Sequence, residues 1–363
     1  MNYNEYVDIQ TLKQIKNQFL SDLHKATLGQ QTSLPFIRHN LAKTAVIKSG
    51  EIFQTLVIGG SICQKATMKK NGNKVDILDQ AQVPQPPFLT KNDFMTFLGT
   101  HIHPDVEVVA LNFAYPLIPI IRNGMLDGIL QSGSKENTFS GLVGDKVGAE
   151  IETYFQKTFG RTIRVAIAND VICLLLSGLN YHNWDTIAAG IVGTGLNFSL
   201  FLDKQTIVNL ESGNFNTFPQ SESGQEIDRL SASPGSAIFE KEVSGAYLYQ
   251  HLNILAKKRG IPFPLINSSQ ELNQLIHHDN TKVAKLAQEI LDHSASLVAV
   301  EIAGIVNFVK HDLIFIMQGS LYWKGDGYKK HIDDLVRELV PDYHVSYKQI
   351  VNSDILGASK LVS

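Results

Sequence analysis

Apolar positions recur at helical spacing at the start of the chain: Val7, Ile9, Leu12, Ile15, Phe19, Leu20 and Leu23. This predicts an amphipathic helix or two over 2–30, stopping near Gly29. The period then changes. Residues 52–58 and 62–70 alternate around Gly59, Gly60 and Ser61, as the two strands of a hairpin do. The run VDILDQAQVPQPPF carries Pro84, Pro86 and Pro87 and reads as an extended loop leading to a helix at about 90–100. VEVVALNFAYP (106–116) is a buried strand ended by Pro116, GLVGDKVGAEIETYF (141–155) is helical, and RTIRVAIAND (161–170) is a second buried strand. IAAGIVGTGLNFSLFLD (187–203) reads as two strands joined by a glycine-rich turn, and KQTIVNLESGNF (204–215) adds a strand and a loop. A long helix is expected from Ala237 to about Lys258, with Ser233 and Pro234 as start signals, and another over 281–310. DLIFIMQGS (312–320) gives a strand and a glycine turn, followed by a helix, a strand at 343–349 and a helical stub at 353–362.

Strands grouped in hairpins, followed by alternating strand and helix, predict a mixed α/β protein with two lobes. The length of 363 residues agrees, since it exceeds what one core usually supports. A net charge of −3 gives no reason to expect nucleic acid or a membrane surface as partner. Cys63 and Cys173 lie in apolar runs and are too few for a disulfide framework, so a reducing compartment is the simplest expectation. The first residues lack the basic and apolar regions of a signal peptide, and no apolar stretch reaches the length of a membrane span. Together these point to a cytoplasmic protein; the oligomeric state stays open.

Candidate chemistry concentrates at turns that follow strands. Gly59, Gly60 and Ser61 form a tight turn whose backbone N–H groups could cradle a phosphate. No Asp or Glu lies between Ile52 and Lys74 to hold an accompanying metal ion. Gly193, Thr194, Gly195 and Asn197 make a similar turn later, and two such hairpins could grip a polyphosphate. Asn169 and Asp170 close a buried strand and open an apolar helical run, where open α/β sheets place functional groups. Asp170 could act as a general base, or the pair could simply cap the helix. Glu211 and Glu240 are two further carboxylates, and Lys135 lies in the polar loop GILQSGSKEN. Taken singly, each of these three reads as surface.

Their order along the chain changes that reading. FAYP, SK, ANDV, GTGLN, NLESGNF, SPGSAIFEKEVSGAYL, QGSLY and NSDILGASKLV follow one another as they do in the hexokinase family, of the actin-like ATPase superfamily of sugar kinases. The most specific stretch is EIDRLSASPGSAIFEKEVSGAYL (226–248), and the resemblance runs from SLPFIRHNLAKT to the C-terminus. It implies a two-lobed actin-like ATPase (ribonuclease H-like) fold with a cleft between a small and a large domain. The small domain would span 54–168, to which the C-terminal 353–363 could be added; 1–53 and 169–352 would form the large domain. The implied reaction is ATP-dependent phosphorylation of a glucose-like hexose at its 6-hydroxyl, a step of glycolysis, with Mg²⁺ accompanying ATP. By resemblance, Ser134, Lys135, Asn169, Asp170, Asn197, Glu211 and Glu240 line the sugar. Asp170 would be the general base, with Lys135 beside the transferring phosphoryl group. Gly59, Gly60, Ser61, Gly193, Thr194, Gly195, Gly319, Ser320 and Gly357 would surround the nucleotide, and no residue is assigned as a metal ligand.

The departures fall on one side of the site. Where the family's first phosphate segment has Asp, this chain has Val57, and Gln64 replaces its arginine. Gln318 stands for the Asp of the adenosine segment, Gly133 for the tryptophan before Ser134, and Ser212 for another tryptophan. The last helix of the small domain also reads as short. Sugar-facing types are kept, with Thr becoming Ser134, while nucleotide- and metal-facing types are eroded. Two readings follow: an active hexokinase-type enzyme, or a weak or inactive sugar-binding sensor or regulator.

Overall fold

The structure is a computed structural model describing residues 8–42, 44–133 and 136–363. It divides into two compact units. The first comprises the described residues up to Phe36 together with 190–198 and 210–348; the second comprises 37–189, 199–209 and 349–363.

The second unit is built on a five-stranded sheet. β1 (Ile37–Asn40) lies outside that sheet, which is formed by β2 (Ile52–Ile58), β3 (Ile62–Asn71), β4 (Lys74–Pro84), β5 (Val108–Phe113) and β8 (Arg164–Ala168), in the order β4-β3-β2-β5-β8. β2, β5 and β8 run parallel, with Val57 opposite Asn112 and Asn112 opposite Ala168. Side chains alternate across such a sheet. Leu56, Ile58, Leu111, Phe113, Val165 and Ile167 therefore enter one core, shared with Phe94 and Leu98 of α2 (Lys91–His101) and Ile151 and Phe155 of α3 (Val147–Phe159). Val57, Asn112 and Ala168 fall on the opposite face. Helices α4 (Asp170–Gly178) and α12 (Ser353–Ser359) pack against each other and against these strands.

Two expectations fail in this unit. The proline-containing run after residue 74 is largely strand β4, not loop. It is an edge strand whose Val75, Ile77, Ala81 and Val83 are half-buried between exposed neighbours; the alternation is interrupted at Leu78, where the pairing with β3 shifts register, and Pro84 sits at its end, where no donor is missed. The helix expected over 141–155 begins only at Val147. Between β5 and α3, β6 (Leu117–Arg122) and β7 (Met125–Leu130) form a further hairpin through Asn123 and Gly124, both with positive φ. Asn-Gly is the signal for such a turn.

In the first unit, α1 (Ile9–Thr27) is capped by the Asp8 side chain and packs along α9 (Thr281–Val309), which is buried through most of its length. β12 (Leu313–Gln318) pairs in parallel with β13 (Val345–Lys348). β9 (Ile187–Val192) and β10 (Leu196–Asp203) run from one unit into the other, and β11 (Thr206–Asn209) pairs with β10 and β1. Beyond β11 come α5 (Glu222–Leu230), α6 (Ile238–Val243), α7 (Leu248–Lys258) and α8 (Ser269–Gln274); α10 (Ser320–Lys324) and α11 (Tyr328–Leu339) follow β12. The single long helix expected from Ala237 to Lys258 is thus two helices, interrupted at 244–247. That interruption has a structural use at the site.

Candidate active site

At the end of β8 the chain turns directly into α4. Asn169 is extended, and its Oδ1 accepts the Val171 N–H at 3.1 Å, which makes it the N-cap. The N-cap position therefore belongs to the neighbour of Asp170, though both side chains share the first N–H. Asp170 is the first helical residue and half-buried, its Oδ1 receiving the same N–H at 2.8 Å. A carboxylate at this junction is fixed by the backbone on either side. Ser134 and Lys135 lie outside the described residues. Just before them, a Cβ on Gly133 would sit 2.0 Å from the Asn137 carbonyl, so no larger residue fits at 133 without a shift.

The two glycine turns differ in what their backbones are doing. In the first, the Gly59 N–H donates to Gln85 at 3.3 Å, and its carbonyl accepts from Gln85 and, at 2.6 Å, from the Tyr115 hydroxyl. Gly60 and Ser61 are exposed. In the second, the Gly193 N–H donates to the Gly195 carbonyl at 3.0 Å, closing the turn. The carbonyls of Gly193 and Thr194 accept the N–H groups of Gly245 and Ala246 at 2.7 and 3.2 Å. This is why the helix breaks at 244–247: continuing it would consume the donors that hold the turn. Gly319 abuts the same turn. Its φ of +115° excludes other residues, and a Cβ there would meet the Val192 carbonyl at 2.1 Å. Gly193, Thr194, Gly245, Ser269, Ser320 and Lys324 border a cavity of about 470 Å³. Of these, Gly245, Ser269 and Lys324 were not singled out by sequence; the signal for Gly245 lay inside the segment of strongest resemblance.

Glu211 and Glu240 come together in the first unit. Glu211 is held in the left-handed region at φ +49°, a strained backbone for a glutamate and one found more often at functional sites. Glu240, in the first turn of α6, accepts the Leu196 N–H at 3.0 Å beside Asn197. Burial raises the Glu240 carboxyl above its ordinary range, and the nearby Glu211 charge adds to this against the Leu196 hydrogen bond. Gly357 lies where α12 touches α4: a Cβ there would fall 1.7 Å from the Cys173 carbonyl.

The profile of the hexokinase family matches residues 187–258 and 262–362. Hexokinase-7 of Oryza sativa subsp. japonica is 24% identical over 367 residues, covering 80% of this chain and 78% of its own. Hexokinase-2 of Solanum tuberosum is 24% identical over 410 residues, covering 91% of this chain and 82% of its own. The structure superposes on a Schistosoma mansoni hexokinase complexed with glucose with a TM-score of 0.77 at 17% identity, covering 98% of this chain and 95% of that one. Along most of its length the chain is similar to hexokinases.

Its fold is the mixed α/β actin-like ATPase fold expected from the sequence. That similarity supports sugar phosphorylation in general. The substitutions that set this chain apart now have positions. Val57 and Gln64 are register partners on β2 and β3, on either side of the first turn. Ser212, in place of a tryptophan, donates its hydroxyl to Glu301 of α9 at 3.1 Å, both residues being fully buried. Gln318 ends β12 immediately before Gly319.

Proposed function

We propose that this protein phosphorylates a glucose-like hexose at its 6-hydroxyl using MgATP, with Asp170 as the general base. The observation that carries this reading is the strand–Asn169–Asp170–helix junction. Asn169 and Asp170 both accept the Val171 N–H, which fixes a half-buried carboxylate at the strand's end, where a pure binding protein has little need of a base. Asn169, Asn197, Glu211 and Glu240 supply carboxamides and carboxylates suited to ring hydroxyls, and Ser134 and Lys135 complete the sugar-facing set by resemblance. A site that pairs each hydroxyl rejects sugars lacking one, because its own polar groups are then stranded.

The fit to a nucleotide rests on the second turn and its surroundings. Glycine at 193 keeps a cradle open that a Cβ would fill, since that atom would stand 3.2 Å from Gly319 Cα. The adjoining cavity, about 470 Å³, falls within the range of small-molecule sites. Bound MgATP supplies the phosphoryl group together with charge neutralisation by the metal. This chain's residues then orient the sugar, and Asp170 takes the hydroxyl proton. Lys135 is assigned to the phosphoryl oxygens.

A second reading, a sugar-binding regulator with little turnover, is favoured by Val57, Gln64 and Gln318. A coupled assay for glucose-dependent ADP formation, run beside thermal-shift titrations, separates the two. Turnover in the wild type, with kcat lowered about 10²–10⁴-fold in Asp170→Ala and glucose stabilisation retained, is the expected result. Glucose stabilisation with no turnover and no nucleotide stabilisation would establish the regulator instead.

A further inference from the structure

Val57 leaves the first phosphate segment without its carboxylate, and the sheet register shows what surrounds that position. Val57 on β2 is paired with Asn112 on β5, and Asn112 with Ala168 on β8. Two residues beyond Ala168 stands Asp170. The same row of strand ends is approached by α12, whose first turn carries Asp354.

Asn112 is fully buried, at 0% exposure. Its Nδ2 points to Asp354 Oδ1 at 3.5 Å, and its Oδ1 has no hydrogen-bond partner. A buried amide oxygen left unsatisfied is costly and calls for a ligand or a water to complete it. The helices bring the two acids toward the same place. α12 and α4 meet tightly where Gly357 faces the Cys173 carbonyl, and Asp354 and Asp170 each lie about one helical turn before that contact. Glycine at 357 is what permits the approach. Cys173, fully buried beneath, senses both charges: burial raises its thiol, and Asp354 and then Asp170 raise it further. Among the described residues no group of three or more His, Cys, Asp or Glu could hold a metal by itself. Mg²⁺ bound with a nucleotide needs only one or two carboxylates, the rest of its shell being phosphate and water oxygens.

We propose that Asp354 supplies from the C-terminal helix the carboxylate that position 57 lacks. Asp354, Asp170 and the Asn112 amide oxygen then form the protein's share of a site for the divalent cation that accompanies the nucleotide. This inference rests on the MgATP reading above. It gives the substitution at Val57 a counterpart: a second acid beside Asp354 would crowd like charges, so an apolar residue at 57 suits a carboxylate arriving from α12.

The test is a titration of the full chain with Mn²⁺ in the presence of a non-hydrolysable ATP analogue, with free Mn²⁺ read by electron paramagnetic resonance. Wild type, Asp354→Asn and the double variant Val57→Asp/Asp354→Asn are compared. The expected result is Mn²⁺ affinity about tenfold weaker in Asp354→Asn, with recovery of most of it in the double variant. Unchanged affinity in Asp354→Asn overturns the proposal, as does a loss that the strand carboxylate fails to recover, which would make Asp354 a purely structural residue. Glucose stabilisation, measured separately by thermal shift without metal or nucleotide, tells whether the sugar-kinase reading fails instead. Should the variants not fold, Fe²⁺ in place of Mn²⁺ with ascorbate maps the site in the wild-type chain. Backbone cuts near 112, 170 and 354 support the proposal, and cuts confined elsewhere refute it.

Discussion

Glu301 lies on α9 with its side chain fully buried, Oε2 accepting the Ser212 hydroxyl and Oε1 unpartnered. Burial therefore raises its carboxyl well above the ordinary range, and the single hydrogen bond from Ser212 opposes this only in part. The consequence for stability has a definite sign. The folded state holds a proton on Glu301 that the unfolded chain releases once pH passes the ordinary glutamate range. The unfolded state then binds fewer protons, and stability falls as pH rises from about 4.5 toward the raised value. Glu301→Gln keeps the shape and cannot ionise. Melting at pH 8 should rise by on the order of 2 °C in this variant, with little change at pH 5. An equal shift at both pH values would mean that Glu301 is charged in the fold. Sequence could not single out Glu301. A lone acid in an apolar helical stripe gives no local sign of which face it occupies, and the reason for Ser212 became visible only with its partner.

The elements show where local pattern suffices and where it does not. α1, α9, the β2–β3 hairpin and the β9–β10 pair were legible because strong periodicity or a glycine turn marks them. β4 was not, because the prolines at and beyond its end suggested a loop and the register shift at Leu78 interrupts its alternation. The α6–α7 break was also hidden. Its cause is a pair of N–H donors at Gly245 and Ala246 reaching the Gly193 and Thr194 carbonyls, which no helical propensity encodes. Gly357 belongs to the same class, a contact between helices far apart in sequence. Asp354 and Asp170 depend on that contact for their placement. Gly357→Ala forces a methyl group into the Cys173 carbonyl. A loss of about 3 kcal/mol, or failure to accumulate folded protein, is expected from overpacking with no room to relax. Urea titration of the wild type and variant gives the comparison, and a near-neutral result would show that α12 can shift away from α4. The parallel test at Gly319 adds a backbone conformation alanine resists to the clash with Val192, so its cost should be no smaller.

At the scale of the whole molecule, the family was legible because its signature segments occur in order from one end of the chain to the other. The missing acid at Val57 read locally as damage, whereas Asp354 lies near the opposite end of the chain, and only the β2–β5 register and the α4–α12 crossing bring the two positions together. Global stability offers a way to separate the sugar function from the nucleotide function without presuming turnover. A ligand that binds the native state alone stabilises it according to its saturation, by about 2.7 kcal/mol at a hundredfold its Kd. In the proposed site glucose meets groups that need no metal, so its thermal shift should be the same in EDTA and in Mg²⁺. The non-hydrolysable ATP analogue brings several negative charges toward Asp170 and Asp354, so its shift should be small in EDTA and grow with Mg²⁺. If Glu211 and Glu240 bind the sugar as proposed, the 6-deoxy sugar should stabilise the protein nearly as glucose does, yet yield no ADP above background. Metal-independent stabilisation by the nucleotide analogue would instead place its phosphates on the glycine turns alone and remove the two aspartates from nucleotide binding.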